Sequence, residues 1–173
     1  MPIVFPNETQ DEAARILQVK QVIADGEFST TSTSFVNTSL FTLSFDNTLK
    51  SGSKVLASIE LSYGESYSTY WAQPHYFTLY QGTSTALGSN IASSTRGMVG
   101  GNAIANAYDS ANQYDIDRIS ASNLHTPTNT DPHYRLYVRT ISNTRTLYVG
   151  SAANSNSNYD VGRTICTIME VCD

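Results

Sequence analysis

The three histidines of this sequence, His75, His125 and His133, are the side chains best suited to bind a metal ion or to act as a general base. No two of them have the HxH or HxxxH spacing of a metal-binding pair. His75 and His133 each precede a tyrosine at the start of a predicted strand, and we expect them at the rim of a sheet. The sequence therefore predicts no metal site at these residues.

Three aspartates, Asp109, Asp115 and Asp117, lie close together in the chain. Two carboxylates on one strand face could cleave a glycosidic bond or hold calcium. The calcium-loop pattern is absent, however, and we expect a solvated turn or strand edge. The glycine-rich segment 97–101 precedes no convincing helix, so it does not predict a phosphate loop. Since no catalytic constellation is complete, we expect neither an enzyme nor a cofactor.

Aromatic residues are concentrated between positions 63 and 76, mostly in a predicted loop. Among them, Tyr67, Tyr70 and Trp71 have small polar neighbours, a composition typical of recognition surfaces, and such rings also stack on sugars. These three residues are candidates for receptor contact, for example with a glycan of a host surface. The alternative is that they close one end of the fold as part of its core.

The charge of the chain and the length of its apolar stretches each argue against one class of partner. Its net charge is −5 and only 14% of its residues are charged, so it lacks the clustered cations that nucleic-acid binding requires. No apolar stretch approaches the length of a membrane-spanning helix, so we expect no membrane insertion. The first residues have no basic segment followed by an apolar run, which predicts a chain made in the cytoplasm without a signal peptide.

Alternating apolar and polar residues predict an all-β domain, because successive side chains of a strand point to opposite faces. Short strands with polar turns and no interior helix favour a sandwich, with a jelly roll as the preferred topology. An immunoglobulin-like sandwich and a C1q-like roll are the alternatives. A hairpin is predicted where residues 134–139 and 147–149 flank the turn 143–145. The other predicted strands are 17–24, 41–45, 55–63, 76–81, 116–124 and 163–171.

The chain divides into an attachment arm at residues 1–15 and a jelly-roll head at residues 16–173. Within the arm, Ile3, Val4 and Phe5 are apolar and flanked by prolines, which favours an extended peptide. We expect these three residues to dock on other proteins. Helix-favouring residues follow them, so a short helix is predicted at the end of the arm.

The last predicted strand is apolar on both faces, and both cysteines of the chain, Cys166 and Cys172, lie in it. Six residues of extended chain exceed disulfide reach, so we expect free, buried thiols. Two apolar faces require two covers: the core of the chain and, we expect, another copy of it. The sequence therefore predicts a homotrimer with this strand near the threefold axis, and the proposed interface residues are Ile165, Cys166, Ile168 and Met169.

Five segments together resemble a group of tailed-bacteriophage virion proteins. They are Ile16–Val19, Ser29–Val36, Ser53–Ala57, Leu79–Thr83 and Thr164–Val171. The group includes tail-fibre tip domains and head decoration proteins, and the similarity covers roughly residues 16–172. It implies an oligomeric, usually trimeric, β-sandwich head on the virion surface, with no active site to carry over. The loops at Tyr67–Trp71 and at His125–Pro127 depart from the group.

These observations lead us to expect a non-enzymatic virion structural protein displayed on the particle surface. Capsid decoration is favoured, because no repetitive shaft separates the arm from the β domain. A receptor-binding module of a tail fibre is the alternative, and a polysaccharide-cleaving enzyme is the third class. The expected partners are further copies of the chain and other capsid or tail proteins.

Overall fold

Every regular element that the computed structural model describes is a β-strand, and the strands form two antiparallel sheets. The all-β sandwich is therefore confirmed, whereas the jelly-roll topology stays a prediction. The structure describes residues 15–66, 74–86, 88–92, 103–104, 117–151 and 162–172. The predicted attachment arm and its helix lie outside these residues, apart from Arg15.

The described part of the chain contains eleven strands. In chain order they are β1 (Arg15–Ala24), β2 (Phe28–Thr30), β3 (Val36–Asn37), β4 (Lys54–Ser66), β5 (Pro74–Gly82), β6 (Ser89–Asn90), β7 (Ala103–Ile104), β8 (Asp117–His125), β9 (His133–Thr140), β10 (Thr146–Val149) and β11 (Thr164–Cys172).

Six of these strands form sheet A, which is four strands wide over most of its length. β4 pairs with β8 along one edge and with β11, then β10, along the other. β1 lies beyond β11, and β2 lies beyond β10. The order across the sheet is thus β8, β4, β11, β1, and no described strand pairs with the outer edge of β8 or of β1.

Sheet B contains β3, β9, β5, β6 and β7. β9 pairs with β5 along its length, and its other edge contacts β3. The predicted hairpin of residues 134–139 and 147–149 is wrong, because β9 belongs to sheet B whereas β10 pairs with β2 and β4 in sheet A. The turn between them connects the two sheets, so that Leu147 and Val149 enter the core from the side opposite β9.

The segment predicted as a strand at 41–45 alternates as expected but is not a strand. Phe41, Leu43 and Phe45 are buried in the core, with polar residues between them. Only Leu43 makes a β-bridge, with Tyr134, through backbone hydrogen bonds of 2.9 and 2.8 Å. The alternation therefore reflects the burial of every second side chain and does not indicate a continuous ladder of backbone hydrogen bonds.

A buried carboxylate fastens edge strand β1 to the sheet. Glu170 on β11 is 1% exposed and accepts 2.7 Å hydrogen bonds from the Gln18 side chain and from the Lys50 backbone N–H. Burial alone would raise the pKa of Glu170, but the hydrogen bonds from the Lys50 backbone N–H and the Gln18 side chain help to hold it below its ordinary value. The charged form is therefore the one that this site stabilises.

Candidate protein–protein interface

The outer face of sheet A is the side of the sheet that points away from the core. Among the described residues, five large hydrophobic side chains are exposed, and four of them lie on this face. Ile16, Val19 and Ile23 come from β1, and Leu124 comes from β8. Each is about half exposed, between 49% and 55%. Clustered exposure of this kind, unlike scattered exposure, marks a contact surface.

The strand registers align apolar residues into one row across all four strands. Val19 pairs with Met169, Met169 pairs with Leu56, and Leu56 pairs with Leu124. Directly paired residues share a face, so the four side chains form a continuous apolar row from one sheet edge to the other. We call this the apolar row.

A polar row lies next to it, one step further along the strands on the same face. It consists of Gln21, Thr167, Ser58 and Ser122, paired in that order. The Gln21 amide donates a 3.0 Å hydrogen bond to the Thr167 hydroxyl. The row forms the floor of an open depression of about 580 Å³, which Ile165 and Glu60 also line. The hydroxyl and amide groups of this row can both donate hydrogen bonds to a partner molecule and accept them from it.

Few charges lie on this face. Lys54 and Glu60 on β4 and Arg118 on β8 occupy outward positions, as their registers show. All three stand outside the apolar and polar rows. A surface that combines apolar rows with neutral hydroxyls and little charge has the composition of an interface centre, where charged residues are depleted.

The outer face of sheet B differs, because the chain itself covers it. Tyr137 is only 5% exposed and stacks on Tyr80 with ring centroids 3.9 Å apart. The Arg135 guanidinium donates to the backbone carbonyls of Thr83, Ser84 and Ala86. This sheet therefore offers less free surface than sheet A, and sheet A is the candidate interface.

The four residues predicted for an oligomer interface divide between the two faces of β11. Cys166 and Ile168 are fully buried among core residues, and this position corrects their assignment to a contact with another chain. Burial raises the pKa of the Cys166 thiol to about 12. Ile165 and Met169 are half-buried on the outer face, where the interface stays a prediction. Both cysteines are free, as expected, and Cys172 is half-buried.

The histidines lie apart from this face. His75 is completely buried and its ring contacts Tyr63, so its predicted position at a rim is wrong. The ring of His125 lies 3.1 Å from the Tyr134 hydroxyl, and burial lowers the pKa of His125. His133 lies 3.6 Å from the Asp131 carboxylate. Within the described part of the chain, no three histidine, cysteine or acidic side chains could share a metal ion.

Other predicted site residues lie outside the described residues. They are the attachment residues Ile3, Val4 and Phe5, the receptor residues Tyr67, Tyr70 and Trp71, and the acids Asp109 and Asp115. Asp117 begins β8.

Val19, Leu56 and Leu124 were missed by the sequence prediction of the interface. Each stands in an alternating strand that predicts one outward apolar residue, but only the pairing of β1, β11, β4 and β8 shows that they align. The available signal was that three of the four outward positions on β1, Ile16, Val19 and Ile23, are apolar.

Comparison with protein-family models finds no match for this chain, and comparison with curated proteins finds no similar sequence. Within the described ranges, no helix is long and apolar enough to cross a membrane.

Proposed function

We propose that this chain is a non-enzymatic structural protein of a bacteriophage particle, displayed on the virion surface as a capsid decoration. It acts by contact with proteins: copies of itself and other virion components. The observation that carries the proposal is the outer face of sheet A, where Val19 and Leu124, each 53% exposed, end an apolar row. A solvent-facing sheet normally carries polar side chains, so such a row calls for a partner.

Two further observations support a role in assembly. The charged fraction of the chain is only 14%, which suits neutral protein contacts more than binding to phosphate backbones. The five segments that resemble phage virion proteins include β11 and the start of β4, and these strands form the middle of the candidate interface. The chain would be made in the host cytoplasm and incorporated into the particle there.

Receptor binding at a tail fibre is the alternative role for the same surface protein. It rests on Tyr67, Tyr70 and Trp71, whose composition suits a host glycan. An attachment arm at residues 1–15 serves either role, since it would anchor the sandwich to a head or to a tail.

Gold-labelled antibodies against the chain, applied to intact particles of the phage that encodes it, test the proposal. Capsid decoration predicts label distributed over heads, whereas an adhesin predicts label at tail tips. Absence of the chain from purified particles would refute a virion role altogether. A chain lacking residues 1–15 serves as the attachment variant, and we expect it to fold and to be missing from particles.

A further inference from the structure

The described edge strands of the two sheets differ greatly in length. β2, β3, β6 and β7 have only two or three residues each. β1 has ten residues and β8 has nine, and no described strand pairs with the outer edge of either. A long unpaired edge presents backbone N–H and C=O groups that can pair with another strand, whereas a very short one offers few. Strand addition is therefore to be considered at β1 and at β8.

The edge of β1 carries three features that block such pairing. Its register with β11 shifts just before Gln18, which marks a bulge. Lys20 pairs with the fully buried Ile168, so it lies on the core-facing side of the edge, where it makes a 2.8 Å ion pair with Asp46. The Gln18 side chain also makes two hydrogen bonds with the backbone of Asn47. Bulges, inward-facing charges and covering loops are the devices by which proteins protect a sheet edge.

The central part of β8 has none of these features. β8 pairs with β4 through nine successive residues without a register shift. From Ile119 to Leu124 it has no charged residue and no proline. Its inner side is incompletely covered as well, since Ile119, Ala121 and the adjacent Ile91 are only partly buried against the core. Among the long edges that the structure describes, β8 is therefore the one without protection.

We propose that β8 is the docking site for an extended segment of another protein, which adds to sheet A as one more antiparallel strand. Every described pair in sheet A is antiparallel, and antiparallel pairing is slightly the more stable kind. In this mode of recognition the backbone groups of the edge supply affinity, and alternate side chains supply specificity.

The two faces of β8 define the chemistry of the added strand. Its inward side chains would cover Ile119 and Ala121, so they should be apolar and β-branched. On the outer face, an apolar side chain beside Leu124 would extend the apolar row by one strand. An acidic side chain beside Arg118, which lies on the same face, would pair with its charge.

A second copy of the chain does not meet these requirements. In full antiparallel overlap of β8 with itself, Ala121 would pair with Ala121, and Arg118 would face Leu124 in place of an acid. β1 of another copy has the bulge and the inward-facing lysine. The partner is therefore a different protein, and its membership of the virion rests on the proposed function.

Amide hydrogen exchange of the purified full-length chain, followed residue by residue by NMR, tests whether the edge is free. Every second amide from Ile119 to Leu124 should exchange about a hundredfold faster than the amides of β4, which has pairing strands on both sides. Slow exchange at every amide of this segment would show that the chain itself covers the edge, and would overturn the inference.

A synthetic peptide of nine residues, the length of β8, tests the partner chemistry. It carries valine at every inward position, leucine opposite Leu124, threonine opposite Ser122 and Ser120, and glutamate opposite Arg118. The peptide should bind the full-length chain and slow the exchange of the free β8 amides. Absence of binding, or binding that leaves these amides unprotected, would contradict strand addition.

Ala121→Lys gives β8 the inward-facing charge that Lys20 gives β1. It should weaken peptide binding by about tenfold or more, since strand addition would bury the charge. Ser122→Lys is the matched control on the opposite face of the same strand and should change the affinity by less than about twofold. Circular dichroism should show that both variants are folded. Equal affinities of the two variants would overturn the inference.

Arg118→Glu is a second test, at an exposed position where loss of the fold is not expected. It should weaken binding of the peptide, and a peptide with lysine in place of its glutamate should restore it. Failure of this charge exchange would contradict the antiparallel orientation proposed here. All of these measurements use the chain without particles, so a failed strand addition and a failed virion role are distinguishable.

Discussion

Val19 and Leu124 lie on opposite edge strands of sheet A, yet they belong to one row, because Val19 pairs with Met169, Met169 with Leu56, and Leu56 with Leu124. Both edge residues are 53% exposed. A partner that covers this row must therefore extend across the whole width of the sheet. A contact with one edge alone would leave half of the row in water.

Truncating side chains on the two opposite faces of β11 should reduce stability by different amounts. Ile168 is fully buried, so Ile168→Ala should cost about 2–4 kcal/mol of unfolding free energy through lost packing and a cavity. Ile165→Ala, on the outer face of the same strand, should cost less than about 1.5 kcal/mol when the chain is dilute and monomeric. Urea denaturation measures both. Equal losses would show that the two faces are buried alike.

Acid should weaken the fold first through His125. Its pKa is lowered in the folded state, chiefly by burial, so below the ordinary value of 6.5 the unfolded chain binds the proton more readily. We expect the melting temperature to fall as the pH drops below 6.5 toward the lowered pKa of the folded state. His125→Gln should flatten this part of the curve. A variant with the wild-type slope would assign the proton uptake to another group.

Glu170 should produce a second, more acidic transition. Its folded pKa lies below the ordinary 4.5, so its stabilising effect is complete above pH 4.5 and is lost as the pH falls through the folded pKa. At neutral pH, Glu170→Gln removes charge-assisted hydrogen bonds from Gln18 and Lys50 and should cost about 2 kcal/mol. Exposed Glu27→Gln is the control and should change stability by less than about 0.5 kcal/mol.

The two thiols should react at very different rates. Burial raises the pKa of Cys166 to about 12, so almost none of it is thiolate at pH 8, and the side chain is inaccessible. Cys172 is half-buried, and its sulfur lies 3.8 Å from the Lys50 amine. A disulfide reagent should modify one thiol per native chain, identified as Cys172 by mass spectrometry. Modification of Cys166 without denaturant would show that the core opens locally.

Alternation in the sequence was sufficient to predict β4 and β9, because apolar residues at every second position indicate a strand that turns one face to the core. It could not say which sheet a strand joins. The alternation of Leu147 and Val149 fits a hairpin partner of β9 and a strand of sheet A equally well. In the structure they pair with β4 in sheet A and pack in the core. The position of His75 before a tyrosine at the start of a predicted strand indicates a rim, whereas the structure buries its side chain completely.

The apolar row could not be predicted for a related reason. Its members come from four strands that are distant in the sequence. A shift of one residue in the register of any of these strands would move its apolar side chain from the outer face to the core face. Met169 was selected from its strand alone, while Leu56 and Leu124 required the pairing of β4 with β11 and β8.

The most direct test of the account is whether the apolar row is covered in the assembled particle. Val19→Cys and Leu124→Cys, each in a chain that also carries Cys172→Ser, place a thiol at one end or the other of the row. Both thiols should react with a maleimide reagent in the dilute free chain, since each position is 53% exposed, and should resist it in purified particles. Ile141→Cys is the control, because Ile141 is 45% exposed and lies outside sheet A. Protection of the two row thiols alone is the predicted result; equal labelling of all three positions in particles would contradict it.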